Sequence, residues 1–309
     1  MPKLLTPLDK AALLAEEFAK VERETNKVEA SYERGLLHHL GKALKDNKLA
    51  LVCLVILCII IFSSVFAFLS PYDPDEMNVM LKMAPPSAEH WFGTDNYGRD
   101  YFTRIAYGGR TTIAIAVLAQ VLIVSSGIVT GMLCGYYGKF DMVCMRIMEA
   151  IHSLPSMLTV IIIASLIGQG FGSVLIALLL GGIVGVTRNL RGQVLRLRSL
   201  EFVEAEKAMG ASACRTIFLH ILPQTFNYLI IRFSTGLSSA VLTTASLSYL
   251  GIGLPPEIPN WGAMISEAQG IMLLYPNLVI WPGICIVLVV FGFSLMGEGL
   301  RDILDPKYR

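Results

Sequence analysis

The sequence predicts an all-α integral membrane protein with six transmembrane helices. Of its 309 residues, 54% are hydrophobic and only 16% charged, whereas soluble chains carry about 25% charged residues. Mean hydropathy is +0.60. Apolar runs of membrane-crossing length recur along the chain, separated by short polar segments. Lys and Arg gather in alternate segments, except for Lys82, Arg99 and Arg104 in 70–108, where acids outnumber them, and this is the charge bias of a chain threaded back and forth through a bilayer.

Residues 1–48 read as a cytoplasmic tail with nine Lys and Arg. Thr6-Pro7 is a helix start. Ala11, Leu14, Phe18, Val21 and Val28 give a partial apolar stripe, so the tail fits either a peripheral amphipathic helix or a solvated one. A polar, charged beginning predicts no cleaved signal peptide, and the first apolar run, 49–69, then acts as an uncleaved anchor. Residues 70–108 follow as an extracytoplasmic segment. It opens on the turn chemistry of Pro71-Tyr72-Asp73-Pro74 and continues to His90-Trp91-Phe92-Gly93-Thr94-Asp95-Asn96-Tyr97-Gly98-Arg99-Asp100. Here Gly93 and Gly98 suit tight turns, and Asp95, Arg99 and Asp100 are placed to neutralise one another.

A five-helix core is expected over 109–309. Span 2 covers 111–136, where Gln120, Ser125, Ser126 and Thr130 predict close helix packing. Span 3 covers 142–167, with Arg146 and Glu149 spaced to pair near the inner interface and Pro155 placed to kink it. After an outer turn at 168–172, span 4 (173–186) runs into Arg188, Arg191, Arg196 and Arg198, which put its end inside. Span 5 covers 224–250, with Leu222-Pro223 marking a bend before it. Along this span Arg232, Thr235, Ser239, Thr243 and Ser246 form one continuous polar face. A charge inside a span is costly and marks function by default. The face reads as a lining of the solute path, with Arg232 available to a peptide carboxylate; hydroxyl packing with a snorkelling arginine is the alternative. The loop 251–275 has no Lys or Arg, and its Trp261 suits the outer interface. Span 6 covers 276–296, and the tail 297–309 is cytoplasmic.

The stretch 200–223 between spans 4 and 5 is the long mixed-charge segment of the apolar C-terminal half. Phe202, Ala205 and Met209 recur at helical spacing, Gly210 falls where a helix end takes a left-handed residue, and a second helical turn follows. This helix–turn–helix is too polar to cross the bilayer and reads as a docking loop.

Five motifs carry a family resemblance over about 50–309. Glu204-Ala205-Glu206, Gly210 and His220-Ile221-Leu222-Pro223 resemble the EAA loop of ABC-importer permeases, departing from it at Glu206 and His220. Gly93-Thr94-Asp95-Asn96-Tyr97-Gly98-Arg99-Asp100 resembles the G-T-D-x-x-G-R-D segment of dipeptide, oligopeptide and nickel importer permeases. Met145-Arg146 with Glu149 and Ser153-Leu154-Pro155, then Pro259-Asn260-Trp261-Gly262, then the ending Gly299 to Pro306, are similar to the same family, which also handles glutathione. The resemblance implies a type I ABC importer permease (MetI-like) architecture in a bacterial inner membrane, with both termini cytoplasmic. It implies a homologous second permease subunit, two ABC ATPase subunits that hold ATP and Mg, and an extracytoplasmic solute-binding protein, all within membrane lipid. Glu204 would open the docking helix and Gly210 would allow its turn. Ala205, Met209 and Ala211 would pack into the ATPase cleft, with Arg215 closing the segment. The 93–100 motif would cap span 2 or meet the solute-binding protein.

The chain has no G-x-x-x-x-G-K-[ST] loop, H-E-x-x-H motif or nucleophile elbow, so no catalytic residue, bound cofactor or ATPase site of its own is expected. Its six cysteines show no metal-ligand spacing with histidine and read as reduced. A net charge of +1 without a basic patch gives no sign of nucleic-acid binding. Peptide import is the favoured function, with nickel or glutathione uptake by the same architecture as the alternative. A secondary carrier is disfavoured, because no acidic residue lies deep in a span to accompany Arg232.

Overall fold

The computed structural model describes residues 48–304, so the helix expected in the N-terminal tail lies outside the described residues. Helix α1 (Lys48–Val65) is apolar from Leu49 to Phe62 and passes through a 3₁₀ turn at Ala67–Leu69 into the segment before α2 (Tyr101–Tyr136). Next come α3 (Gly138–Ile151), α4 (Ser156–Ile167) and α5 (Phe171–Arg198). The polar stretch forms α6 (Glu201–Ala208) and a turn at Ala213–Arg215, leading through π-helical Thr216–Ile221 into α7 (Leu222–Tyr249). The short α8 (Trp261–Ala268) and long α9 (Asn277–Leu304) complete the described chain.

Among the described residues, three helices are long and apolar enough to cross a membrane by length and composition (α2, α5 and α9), or four if the bent pair α3 and α4 is one span. Helix α1 contributes a shorter apolar segment over Leu51–Val65.

Several boundaries differ from the sequence reading, each for a physical reason. Span 2 begins ten residues early, because Asp100 caps α2 by accepting from the Thr103 N–H at 2.8 Å. Span 3 is not one helix: α3 and α4 meet at 83°. Pro155 stands just before α4, where its missing N–H costs nothing, while α3 ends on exposed polar residues. Arg146 does pair with Glu149 at 3.1 Å, in solvent-exposed positions. The bend expected at Leu222-Pro223 is absent. Residues 215, 216, 221 and 222 keep right-handed helical dihedrals, and the π-helical turn places Pro223 in the first turn of α7. The C-terminal segment from Gly297 continues α9 to Leu304.

Close helix packing centres on α2 and α5. Gly127, Gly131 and Gly135 of α2 face Val186, Leu190 and Val194 of α5, so tightly that a Cβ would stand 2.5, 2.9 and 2.4 Å from those side chains. Small residues every four positions let two helix backbones approach where hydrophobic burial gives little net drive. Thr130 and Thr187 hydrogen-bond at 2.7 Å in the same seam. At the arginine-bearing end of α5, Arg191 forms a forked ion pair with Asp141, and Arg198 donates to the Tyr136 carbonyl at 2.8 Å, satisfying an end carbonyl of α2.

The second core gathers around Trp261, which is fully buried. Its Nε1–H donates to the Ile105 carbonyl at 2.9 Å, so the ring pays no penalty for an unpaired donor. Gly108 and Gly109 of α2 make room for the ring, and Asn260 caps α8 by accepting from the Ala263 N–H at 2.9 Å. Gly262 lies against the α7 backbone, where a Cβ would meet the Ala245 carbonyl oxygen at 2.1 Å.

Candidate solute path and docking surface

Helix α7 carries two polar faces with different surroundings. Ser234 and Ser238 are buried toward α9, where Ser238 donates to the Val290 carbonyl at 3.0 Å and accepts from the Ser294 hydroxyl at 3.0 Å. This face is packing. Arg232, Thr235, Ser239 and Thr243 instead line a cavity of about 180 Å³ among α2, α4, α5 and α7. Ser246 does not join them; it lines a separate groove of about 320 Å³ with Leu242, Tyr249 and Ile286. The helical face turns away from the cavity before reaching it.

The sequence reading missed Gln120 and Ser156 in this wall. Gln120 is buried and donates its amide to the Arg232 carbonyl at 3.2 Å, and Gly236 gives it room. A lone amide in the middle of an apolar span was the available signal. Arg232 takes part in no ion pair among the described residues, and its Nε is buried without a hydrogen-bond partner.

The second site is the polar turn between α5 and α7. Val203 is the buried anchor of α6 and Phe202 is half-buried, while Ala205 and Met209 are left exposed by the described residues. Met209 is 79% exposed. Gly210 has φ +82° with open space around it, so the left-handed turn and not crowding calls for glycine there. Glu204 and Arg215 are exposed and Ala211 is half-buried. Ser212 closes the turn by accepting from the Arg215 N–H at 3.4 Å. The two departures from the family pattern touch each other: Glu206 Oε1 lies 3.0 Å from His220 Nδ1, pinning α6 against the π-helical turn.

The 93–100 segment is built as a brace. Gly93, Thr94, Asp95, Gly98, Arg99 and Asp100 are all buried. Gly98 has φ +76° and passes so close to Asn78 that a Cβ would stand 1.8 Å from its carbonyl oxygen. The Thr94 hydroxyl donates to the Leu81 carbonyl and accepts from the Ala84 N–H. The expected neutralisation holds for Asp95 and Arg99, paired at 2.6 Å, but Asp100 pairs instead with His90 at 2.8 Å. Arg104, fully buried, adds contacts at 3.6 Å to Asp95 and 3.3 Å to Asp75. Arg99 reaches Glu267 of α8 at 3.2 Å, tying this segment to the Trp261 core. Burial raises the Glu267 carboxyl above its ordinary range, against the opposite pull of Arg104 and Arg99. Outward from this network stand Trp91 and Tyr97, 64% and 49% exposed.

A polar cavity between membrane helices and an exposed polar turn are what a component of a membrane transport system would need. The family described as binding-protein-dependent transport system inner membrane component matches residues 127–309, and this chain belongs to it. The N-terminal transmembrane domain of oligopeptide transport permease C matches residues 36–86. The chain is 38% identical over 267 residues to the oligopeptide transport system permease protein OppC of Bacillus subtilis (strain 168), covering 86% of this chain and 88% of that one. It is 40% identical to the dipeptide transport system permease protein DppC of Alkalihalophilus pseudofirmus, covering 87% and 89%. It is 36% identical to the glutathione transport system permease protein GsiD of Pectobacterium atrosepticum, covering 78% and 81%.

Proposed function

We propose that this chain is the membrane-spanning subunit of an ATP-driven importer for di- or oligopeptides. The observation that carries the reading is the exposed turn at Met209-Gly210, held at a fixed place by Val203 and the Glu206–His220 pair, in a chain related to peptide and glutathione permeases. The chain crosses the bacterial inner membrane six times, with α1, the α3–α4 pair and α7 completing the crossings and both termini in the cytoplasm. It pairs with a homologous second permease. Two ATPase subunits, which hold ATP and Mg, receive the docking surface formed by Glu204, Ala205, Met209, Gly210, Ala211 and Arg215.

Closure of the ATPases pushes on α6, and the continuous helix from Ala213 through the π-helical turn into α7 carries the displacement to the cavity wall as a rigid-body movement. Solute passes along Arg232, Thr235, Ser239 and Thr243. The brace at 93–100 holds the outer end, and the exposed Trp91 and Tyr97 beside it meet the solute-binding protein. Peptides suit the wall better than a nickel ion, because the lining supplies hydroxyls, an amide and a guanidinium and no imidazole or carboxylate.

Gly210→Asp tests the docking role. Aspartate is among the residues that best tolerate a left-handed conformation, and the space there is open, so the fold survives. The expected result is normal membrane insertion with ATP hydrolysis uncoupled from uptake. Normal uptake by this variant would count against docking at Gly210.

A further inference from the structure

The cavity wall on α7 is chemically polarised along its length. Thr235 donates its hydroxyl proton to the Ile231 carbonyl at 3.0 Å, and Thr243 donates to the Ser239 carbonyl at 2.8 Å. A hydroxyl has one proton to give, so toward the cavity both oxygens are left to accept. Arg232 is the opposite: a guanidinium donates and never accepts. Its Nε is buried without a partner, and none of the described carboxylates pairs with it. Gly185 of α5 leaves space for its tip, since a Cβ there would stand 3.2 Å from Arg232 Nη2. Arg232 as a whole is half-buried, so its charge is only partly shielded from solvent, and a buried N–H left without an acceptor still carries a cost that a visiting anion beside the guanidinium offsets.

From this we infer that the wall is a subsite for a peptide main chain with a free C-terminus: Arg232 takes the terminal carboxylate, and Thr235 and Thr243 accept N–H groups upstream of it. Planar guanidinium and carboxylate groups match in a forked, two-bond contact. The spacing agrees. At a rise of about 1.5 Å per helical residue, Thr235 lies roughly 4.5 Å and Thr243 roughly 16 Å along the axis from Arg232. An extended peptide advances about 3.3–3.6 Å per residue, so Thr235 meets the amide next to the carboxylate and Thr243 a group four or five residues behind. The cavity measures about 180 Å³, more than the ~150 Å³ that accommodates benzene. That volume fits the carboxylate end beside Arg232 and Thr235, and only a longer peptide reaches along the wall as far as Thr243. This inference rests on reading the chain as a peptide-importer subunit. It adds that peptides travel with the carboxylate toward the end of α7 nearest the docking turn, and that a free carboxylate is a selected feature of the cargo.

The test uses the complete transporter in liposomes, with a tripeptide carrying a free C-terminal acid and the same tripeptide amidated. Binding of each to the solute-binding protein is measured first, so that uptake is compared at equal saturation. The expected result is that the wild type imports the acid roughly tenfold faster than the amide, the factor that corresponds to about 1.4 kcal/mol. Arg232→Gln should abolish the difference between acid and amide, bringing the two to a common rate, and Arg232→Lys should restore part of the difference. Equal rates for acid and amide in the wild type would overturn the inference, whatever the variants do. So would a preference for the acid that persists in Arg232→Gln, or failure of that variant to assemble with the second permease, which would make Arg232 an interface group. If the wild type accumulates neither peptide with ATP, the peptide-importer reading itself falls, and the subsite falls with it.

Discussion

At the residue scale, the charged groups of the 93–100 segment are spent on holding the fold. Asp100 accepts the Thr103 N–H that α2 would otherwise leave unpaired and also holds His90. Asp100→Ala should therefore destabilise the protein by about 1–2 kcal/mol, the upper part of the range for losing a helix cap. Asp100→Asn keeps a capping oxygen and should cost less. Thermal unfolding in detergent checks this, and equal losses for the two variants would contradict the capping role. The face from Arg232 to Thr243 was legible in the sequence, because helical periodicity is a one-dimensional signal and a charge in a span stands out. The fate of Ser246 was not, because where a face leaves a cavity depends on the neighbouring helices. Nor was the partner of Arg99, since Glu267 is 168 residues away. The meeting of Glu206 and His220 was hidden for a related reason: each is unremarkable alone, and only the fold of the turn brings them together.

At the scale of the element, α7 and α8 show how local chemistry and close approach are combined. Asn260, Trp261 and Gly262 act in sequence as a cap, a buried anchor and a point of backbone contact. Gly262→Ala places a methyl group against the Ala245 carbonyl, where neither backbone has a flexible tip to move aside. Forcing α8 outward should cost about 1–3 kcal/mol, as overpacking typically does, and loosen the Arg99–Glu267 tie. A lowered unfolding midpoint would show it, and a midpoint equal to that of the wild type would contradict the contact. The long apolar helices were legible from composition, and Gly210 from its place after an amphipathic run. The break between α3 and α4 was legible only as a kink at Pro155, because hydropathy does not report the angle between two helices. The π-helical entry to α7 was invisible, since Leu222-Pro223 reads as a stop wherever a regular α-helix is assumed.

At the scale of the whole molecule, the polar turn at Met209-Gly210 leads into one helical path that runs from Ala213 through α7 to the cavity. The Gly-rich seam between α2 and α5, and the Trp261 core among α2, α7, α8 and α9, give that path rigid neighbours. Both the family and the helical class were legible in the sequence, because separated motifs in the right order carry more information than any one of them. The measurement that tests the central claim most directly is purification of the full chain from its native membrane, followed by reconstitution of whatever accompanies it and an assay of peptide accumulation. The account predicts that a second permease and ATPase subunits come with the chain, and that labelled peptide accumulates only with ATP and the solute-binding protein. Recovery of the chain alone, moving peptide without ATP, would contradict it.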